Sequence, residues 1–474
     1  MNTSIDGPLP APPSGHATSR PTSGSVLKKL GPGLITGAAD DDPSGIATYS
    51  QAGAQLGFNM LWTMLLSYPL MSAIQLVSAR IGRVTGSGLA VNMGAIWPKW
   101  LVTGLVCLLF VANCINIGAN LAAMGASVEH ATGMPSLPTT IFFALLSLGL
   151  QMFIPYERYA NILKWLTLVL FAHIAVLCVV KIDWMATLKG FVWPTFALNN
   201  DSFTVVVAIL GTTISPYLFF WQSSQEVEEI DRKEEAKPLE EAPPQAPKEL
   251  NRIELDTLAG MAVSTIVAVA IMICAAATLR ANGKTDINSA ADVAEALKPI
   301  AGNFAFVLFS LGIVGTGLLS IPVLAGSAAY AFAETLKPIA GNFAFVLFSL
   351  GIVGTGLLSI PVLAGSAAYA FAETQDWKAG LDHKPWEAVG FYGVIVAATL
   401  FGLSLEFVPL DPVKALFWSA VINGFVAVPI MIAMMMVVSS KKQMKEFTAP
   451  IAMKICGWAA SGVMGVAAVA MLID

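Results

Sequence analysis

Charge is what this sequence has least of: only 12% of its 474 residues are Asp, Glu, Lys or Arg, against about 25% in soluble domains. With 56% apolar residues and a mean hydropathy of +0.70, a string of soluble domains is excluded. No basic stripe runs through the chain, which excludes nucleic acid as a partner. There is no CxxC pair either. Cys107, Cys114, Cys178, Cys274 and Cys456 are scattered through apolar stretches at no metal-ligand spacing and read as buried free thiols. Nucleotide motifs are missing, and no nucleophile, base and orienting group converge, so neither an enzyme nor a bound cofactor is expected. Residues 1–27 are rich in Pro, Ser and Gly and lack the apolar core of a cleavable signal, so they read as a disordered tail.

What the chain has in abundance is apolar runs of about 20 residues, the length a bilayer requires. They cover 34–53, 58–79, 101–127, 137–154, 159–180, 203–224, 255–279, 304–332, 343–371, 389–405, 413–438 and 451–473. The expectation is one all-α polytopic membrane domain over 28–474, with the lipid bilayer as its medium. Residues 225–254, QEVEEIDRKEEAKPLEEAPPQAPKELNRIE, are charged and proline-bearing and read as a solvated, flexible cytoplasmic loop.

Residues 297–335, LKPIAGNFAFVLFSLGIVGTGLLSIPVLAGSAAYAFAET, recur without a change as 336–374. Repeat arrays need about three units to bury a continuous core, so this identical pair reads as a redundant duplication. Positive residues mark cytoplasmic loops. With a cytoplasmic start at Lys28 and Lys29, Arg80, Arg83, Arg158 and Lys164 fall inside. Counting one copy as a span puts Lys441, Lys442 and Lys445 inside too; counting both puts them outside. Eleven functional spans and one spare copy are therefore expected, with the N-terminus cytoplasmic.

The segment GAADDDPSGIATYS sets Asp40, Asp41 and Asp42 deep in the first span, where each charge costs about 2.5–3.5 kcal/mol. Capping accounts for Asp42, which precedes a proline suited to the first helical position. It gives no reason for Asp40 and Asp41. A matching break lies in ILGTTISPYLFFWQSS, where Ser215 precedes Pro216. Two interrupted spans at corresponding positions point to an inverted-repeat transporter with its site at the midplane. Freed carbonyls and half-helix C-termini there favour a cation. Asn113, Asn116 and Asn120 share one face of the third span, suited either to metal-bound water or to helix packing. His173 is the only histidine within a span and reads as a packing residue, and Asn423 on the tenth span is a further cavity candidate.

These motifs resemble the Nramp family of divalent-metal transporters. GPGLITGAADDDPSG is similar to the family's first-helix pattern around Asp-Pro-Gly-Asn, with Asp42 on its metal-binding Asp. GTTISPYLFFWQSS is similar to the sixth-helix pattern Gly-Ala-x-x-Met-Pro-His, and 304–332 resembles the eighth helix. The resemblance covers about 28–474. It implies a LeuT-type fold of five plus five inverted helices and an eleventh, in the bacterial inner (plasma) membrane.

Departures from the pattern sharpen the expectation. Gly45 stands at the family's Asn ligand, Ser215 at its Met, Thr212 at its carbonyl-donating Ala, and Tyr217 at the His after the proline. Losing the soft sulfur leaves hard donors, which suit Mg²⁺, and small residues widen the cavity for an ion that keeps its waters. This is the pattern of the Nramp-related magnesium transporters. The implied metal set is Asp42, Asp41, Gly45, Thr212, Ser215, Tyr217 and Asn423. The third span has no Asp, Glu or His, so transport without proton coupling is expected. A proton-coupled Mn²⁺ or Fe²⁺ symporter, a sodium-coupled amino-acid or amine carrier, Al³⁺ as cargo, and a non-transporting metal sensor are the alternatives.

Overall fold

A hydrocarbon core leaves a backbone N–H or C=O no partner outside its own segment or a closed sheet, and every regular element among the described residues is accordingly helical. The structure is a computed structural model that describes residues 36–37, 40, 42–132, 134–154, 177, 182–194, 200–233, 235–278, 280–282, 343–407 and 412–473. Its helices are α1 (Pro43–Leu56), α2 (Leu61–Thr85), α3 (Leu89–Gly94), α4 (Lys99–Thr132), α5 (Ser136–Phe153), α6 (Trp184–Val192) and α7 (Asn200–Thr213). They continue as α8 (Pro216–Arg232), α9 (Ala246–Thr278), α10 (Phe343–Gln375), α11 (Val389–Ser404), α12 (Pro412–Ser439), α13 (Lys441–Met444) and α14 (Ile451–Ile473). Eight stretches among the described residues are long and apolar enough to cross a membrane. The tail 1–27, Asp41, the span 159–180 with His173 (Leu177 apart), and the first repeat copy lie outside the described residues.

Both expected interruptions are present. Residues 36–37 and 40 are helical, Asp42 is not, and α1 restarts at Pro43. Helix α7 ends at Thr213 and α8 restarts at Pro216. The broken helices sit inside the bundle because glycines let backbones touch. A Cβ on Gly37 would lie 2.3 Å from the Gly260 carbonyl, and one on Gly211 would lie 2.1 Å from that of Ala420. Thus α9 closes over the first broken helix and α12 over the second. Helix α4 packs against α10 and α12, bringing the asparagine face into the centre.

Most of the second repeat copy forms α10, which packs against α4, α8 and α11. At one end of the bundle Arg80 Nε donates to the Phe447 carbonyl (2.8 Å), Arg83 pairs with Glu249 (3.3 Å), and Lys445 pairs with Glu240 (3.1 Å). The ends of α2, α9, α12 and α13 therefore share one face.

The stretch 225–254 departs from the solvated loop expected of it. Helix α8 continues to Arg232 and α9 begins at Ala246. Glu226 is fully buried, held by Arg252 at 2.6 Å, and Arg252 also meets Glu229 (3.1 Å) and Glu249 (3.0 Å). Glu228 is held by Arg232 (2.7 Å), the Leu381 N–H (2.7 Å) and the Tyr369 hydroxyl. Between the helices, Leu239 is buried, and the backbone N–H groups of Leu239 and Glu240 donate to Arg83 and Val84 (both 3.2 Å). Carboxylates that find guanidinium partners on neighbouring helices fold inward with them.

Candidate metal centre

Proline at 43 has no N–H to offer and fixes φ for a helical start, so the helix restarts with Asp42 as its N-cap. Asp42 takes an extended backbone (φ −71°, ψ 170°). Its Oδ1 accepts the Gly45 N–H at 2.9 Å and the Ser44 hydroxyl at 2.7 Å. The other oxygen, Oδ2, accepts the Asn116 Nδ2–H from α4 at 3.0 Å. Asp42 is 1% exposed and Asn116 fully buried. A buried carboxylate is stabilised here by three donors and by the positive end of α1.

Behind Asn116 stands Ser419 of α12, whose Oγ lies 3.4 Å from Asn116 Oδ1 and 2.7 Å from the Leu416 carbonyl. The outer asparagines turn elsewhere. Asn113 donates to the Leu363 carbonyl (2.8 Å) and Ser366 (2.9 Å), and Asn120 donates to Ser359 (3.0 Å), all on α10. Of three residues on one face, Asn113 joins helices, Asn116 meets the carboxylate, and Asn120 joins α10 while also approaching Asp42.

The second break is built differently. Ser215 has an extended backbone at the start of α8 but makes no side-chain cap. Its hydroxyl turns back to the carbonyls of Thr212 (2.6 Å) and Gly211 (3.0 Å). The Thr212 carbonyl, a metal donor by the family resemblance, is thus already engaged. The breaks touch at Gly45, where an added Cβ would lie 3.1 Å from Thr212 Oγ1 and 3.2 Å from the Asp40 carbonyl. The cavity expected from Gly45 and Ser215 is closed in this structure: the threonine fills the volume a glycine leaves, and the serine is held by its own helix.

Asp40 is fully buried and faces another helix, with Oδ2 accepting the Ser264 hydroxyl of α9 at 2.8 Å and Oδ1 unpaired. Tyr217 is buried in the core at 1% exposure and is not among the groups bonded to Asp42. Asn423 is 1% exposed, one helical turn beyond Ser419, with both amide atoms unpaired. Among the described residues no three His, Cys, Asp or Glu side chains form a metal-holding group, so the centre is one carboxylate among amides and hydroxyls. Sequence reasoning did not single out Ser44, Ser264 or Ser419. Ser44 had a signal, lying inside the Asp-Pro start of a helix, and Ser419 another, four residues before Asn423 on one face.

Comparison with known proteins adds the lineage of this architecture. The family model for Nramp, described as natural resistance-associated macrophage protein-like, matches residues 33–337 and 331–474, restarting inside the repeat. The divalent metal cation transporter MntH of Aeromonas hydrophila is 25% identical over 319 residues, covering 65% of this chain and 74% of that protein. MntH of Pectobacterium carotovorum is 27% identical over 322 residues, covering 66% and 74%. Among solved structures, the manganese transporter of Eremococcus coleocola, in complex with an aromatic bis-isothiourea substituted compound, superposes with a TM-score of 0.68 at 17% identity. That match covers 97% of this chain and 88% of the other, and it shows the fold to be the all-α, LeuT-type architecture expected from the sequence.

Proposed function

The chain belongs to the Nramp family, and from that premise we propose that it carries divalent metal cations across the membrane by alternating access, with Asp42 as the anchor. The relatives are named divalent metal cation transporters, and transport rather than catalysis fits a centre without a nucleophile. The observation that carries the assignment is the carboxylate of Asp42, buried at the first helix break and held by Ser44, Gly45 and Asn116. Because Asp42 is 1% exposed, loading and release require the surrounding helices to part on one side at a time.

The preferred cargo is Mg²⁺. A carboxylate offers about four lone-pair sites, and three are occupied here. Asn120 approaches the same carboxylate, so the room left suits a monodentate contact or a bridging water rather than a chelated ion. Hard oxygen donors without a thioether suit a cation that keeps part of its hydration shell. The apolar part of α4, residues 101–127, holds amides and no Asp, Glu or His, Glu129 and His130 lying beyond it toward the helix end; on this reading cargo moves uncoupled, from the cytoplasmic or the external face as its gradient directs. Thr212, Ser215, Asn423 and Gly45 shape the surroundings of the ion; Asp41 and Tyr217 belong to the same proposed set on resemblance.

A second reading is a proton-coupled Mn²⁺ carrier, favoured by the naming of the Eremococcus coleocola protein as a manganese transporter. Uptake of Mg²⁺ and Mn²⁺ into liposomes holding a pH dye separates the two. Mg²⁺ entry with a flat dye signal is expected. Mn²⁺ entry with Mg²⁺ excluded and acidification that tracks the metal favours the second reading.

A further inference from the structure

Asn116 stands in an orientation that one of its neighbours does not need. Its Nδ2 donates to Asp42 Oδ2 at 3.0 Å, leaving Oδ1 3.4 Å from Ser419 Oγ. A serine hydroxyl has one proton and two lone pairs, and that proton has a closer acceptor in the Leu416 carbonyl at 2.7 Å. Turning the Asn116 amide by half a revolution exchanges its two ends without moving the backbone. Nδ2 then donates to a lone pair of Ser419, Ser419 keeps its bond to Leu416, and the amide oxygen faces Asp42. At the Ser419 end the turned amide makes the better bond. At the Asp42 end it sets oxygen against oxygen, which is repulsive unless a cation stands between them.

Resting on Asp42 as the anchor, we infer that Asn116 is a direct metal ligand, with its amide oxygen turned toward the ion. The arriving cation supplies the driving force for the turn, since it repels the amide N–H and attracts the carbonyl. Helix α1 has no side chain to supply this oxygen, because residue 45 is glycine. The amide comes instead from α4, fully buried and 3.0 Å from Asp42 Oδ2. Without metal the amide N–H holds the carboxylate; with metal the amide oxygen shares the ion and the N–H donates to Ser419. Ser419 is the positioning residue: its hydroxyl lies 3.4 Å from Oδ1 in the first orientation and accepts from Nδ2 in the second.

The test compares Asn116→Asp and Asn116→Leu in the full-length chain by calorimetric titration with MgCl₂ and MnCl₂, with thermal unfolding in metal-free buffer as the check on folding. A ligand role makes Asn116→Asp bind as tightly as the wild type or tighter, since a carboxylate keeps the oxygen. Asn116→Leu weakens binding by about tenfold or more. A residue that only donates to Asp42 gives the opposite result for Asn116→Asp, which would set two carboxylates together with no donor; weakened binding in that variant overturns the inference, as does Asn116→Leu binding like the wild type. Should Asn116→Leu fail to fold, Asn116→Asp decides alone. Asp42→Ala tests the underlying anchor separately: if it still binds metal, the anchor assignment fails, whereas failure at Asn116 with Asp42→Ala inactive leaves the anchor in place.

Discussion

The two helix breaks share a pattern, a polar residue before proline, and solve opposite problems. At the first, Asp42 faces forward and accepts from the new helix, at Ser44 and Gly45. At the second, Ser215 faces backward and donates to the carbonyls that end α7. The chemistry of each side chain dictates the difference. An ionised carboxylate only accepts, so it can serve only orphan N–H groups; a hydroxyl can also donate, and unsatisfied carbonyls compete for it. The centre therefore takes its formal charge from one break alone. The other contributes a negative helix end whose last carbonyls are already bonded.

The largest expected effect breaks the first side of that comparison. Asp42→Ala removes the anchoring charge, and truncating a buried hydrogen-bonded charge costs about 2–5 kcal/mol, so metal binding falls by two orders of magnitude or more and uptake is abolished. Asp40→Ala is the internal comparator. Its carboxylate bonds Ser264 on α9 rather than Asn116 on α4, so uptake in liposomes falls only severalfold. Equal loss in both variants, each folded, contradicts the separation of the two aspartates.

A smaller effect is expected at the second break. Ser215→Ala leaves the Thr212 and Gly211 carbonyls without their donor, which costs about 1 kcal/mol of stability and lowers the unfolding temperature of the purified protein. Uptake survives, because Ser215 contributes no charge. Gly45→Asn with Ser215→Met narrows the same junction further, as the Asn side chain must displace Thr212 Oγ1 from 3.1 Å. Mg²⁺ uptake by this pair falls below that of Ser215→Ala. A pair that carries Mg²⁺ like the wild type shows that the junction plays no part in cargo passage.

How much of this was legible in the sequence follows from the same chemistry. Both breaks could be read because a polar residue precedes each proline, Asp42 before Pro43 and Ser215 before Pro216, whereas Pro69, Pro361 and Pro429 follow other residues and lie inside continuous helices. Asp42 could be read because a charge at mid-membrane is costly. The direction of Ser215 could not, since a hydroxyl serves either end of a helix. Periodicity set Asn113, Asn116 and Asn120 on one face but is blind to which neighbour each meets; only packing turns Asn113 and Asn120 to α10 and points the Asn116 amide at Asp42. The 225–254 stretch looked solvated because its charges are dense. Their partners are Arg83 from α2, far outside the stretch, and Arg252 within it, which reaches 26 residues back to Glu226 once α8 and α9 pack together.

The smallest expected effect comes from a change that touches neither break. Because 297–335 and 336–374 are identical, deleting either one yields the same polypeptide, and every residue of α10 is retained. Its bonds to α4 through Leu363, Ser366 and Ser359 are kept, as are those of Glu373 to the Ala90 N–H (2.7 Å) and Ser224 (2.9 Å). On the proposal that the spare copy crosses no membrane, Lys445 stays on the face of Glu240. The sequence between α9 and α10 loses one 39-residue copy, and on the same proposal the shorter closure, by about 2.5-fold, favours the folded state by about 1 kcal/mol. Uptake equal to the full-length protein, with an unfolding temperature equal or slightly higher, is the expected outcome. Loss of both expression and uptake shows instead that the second copy cannot stand alone, and with it the reading of eleven functional spans fails.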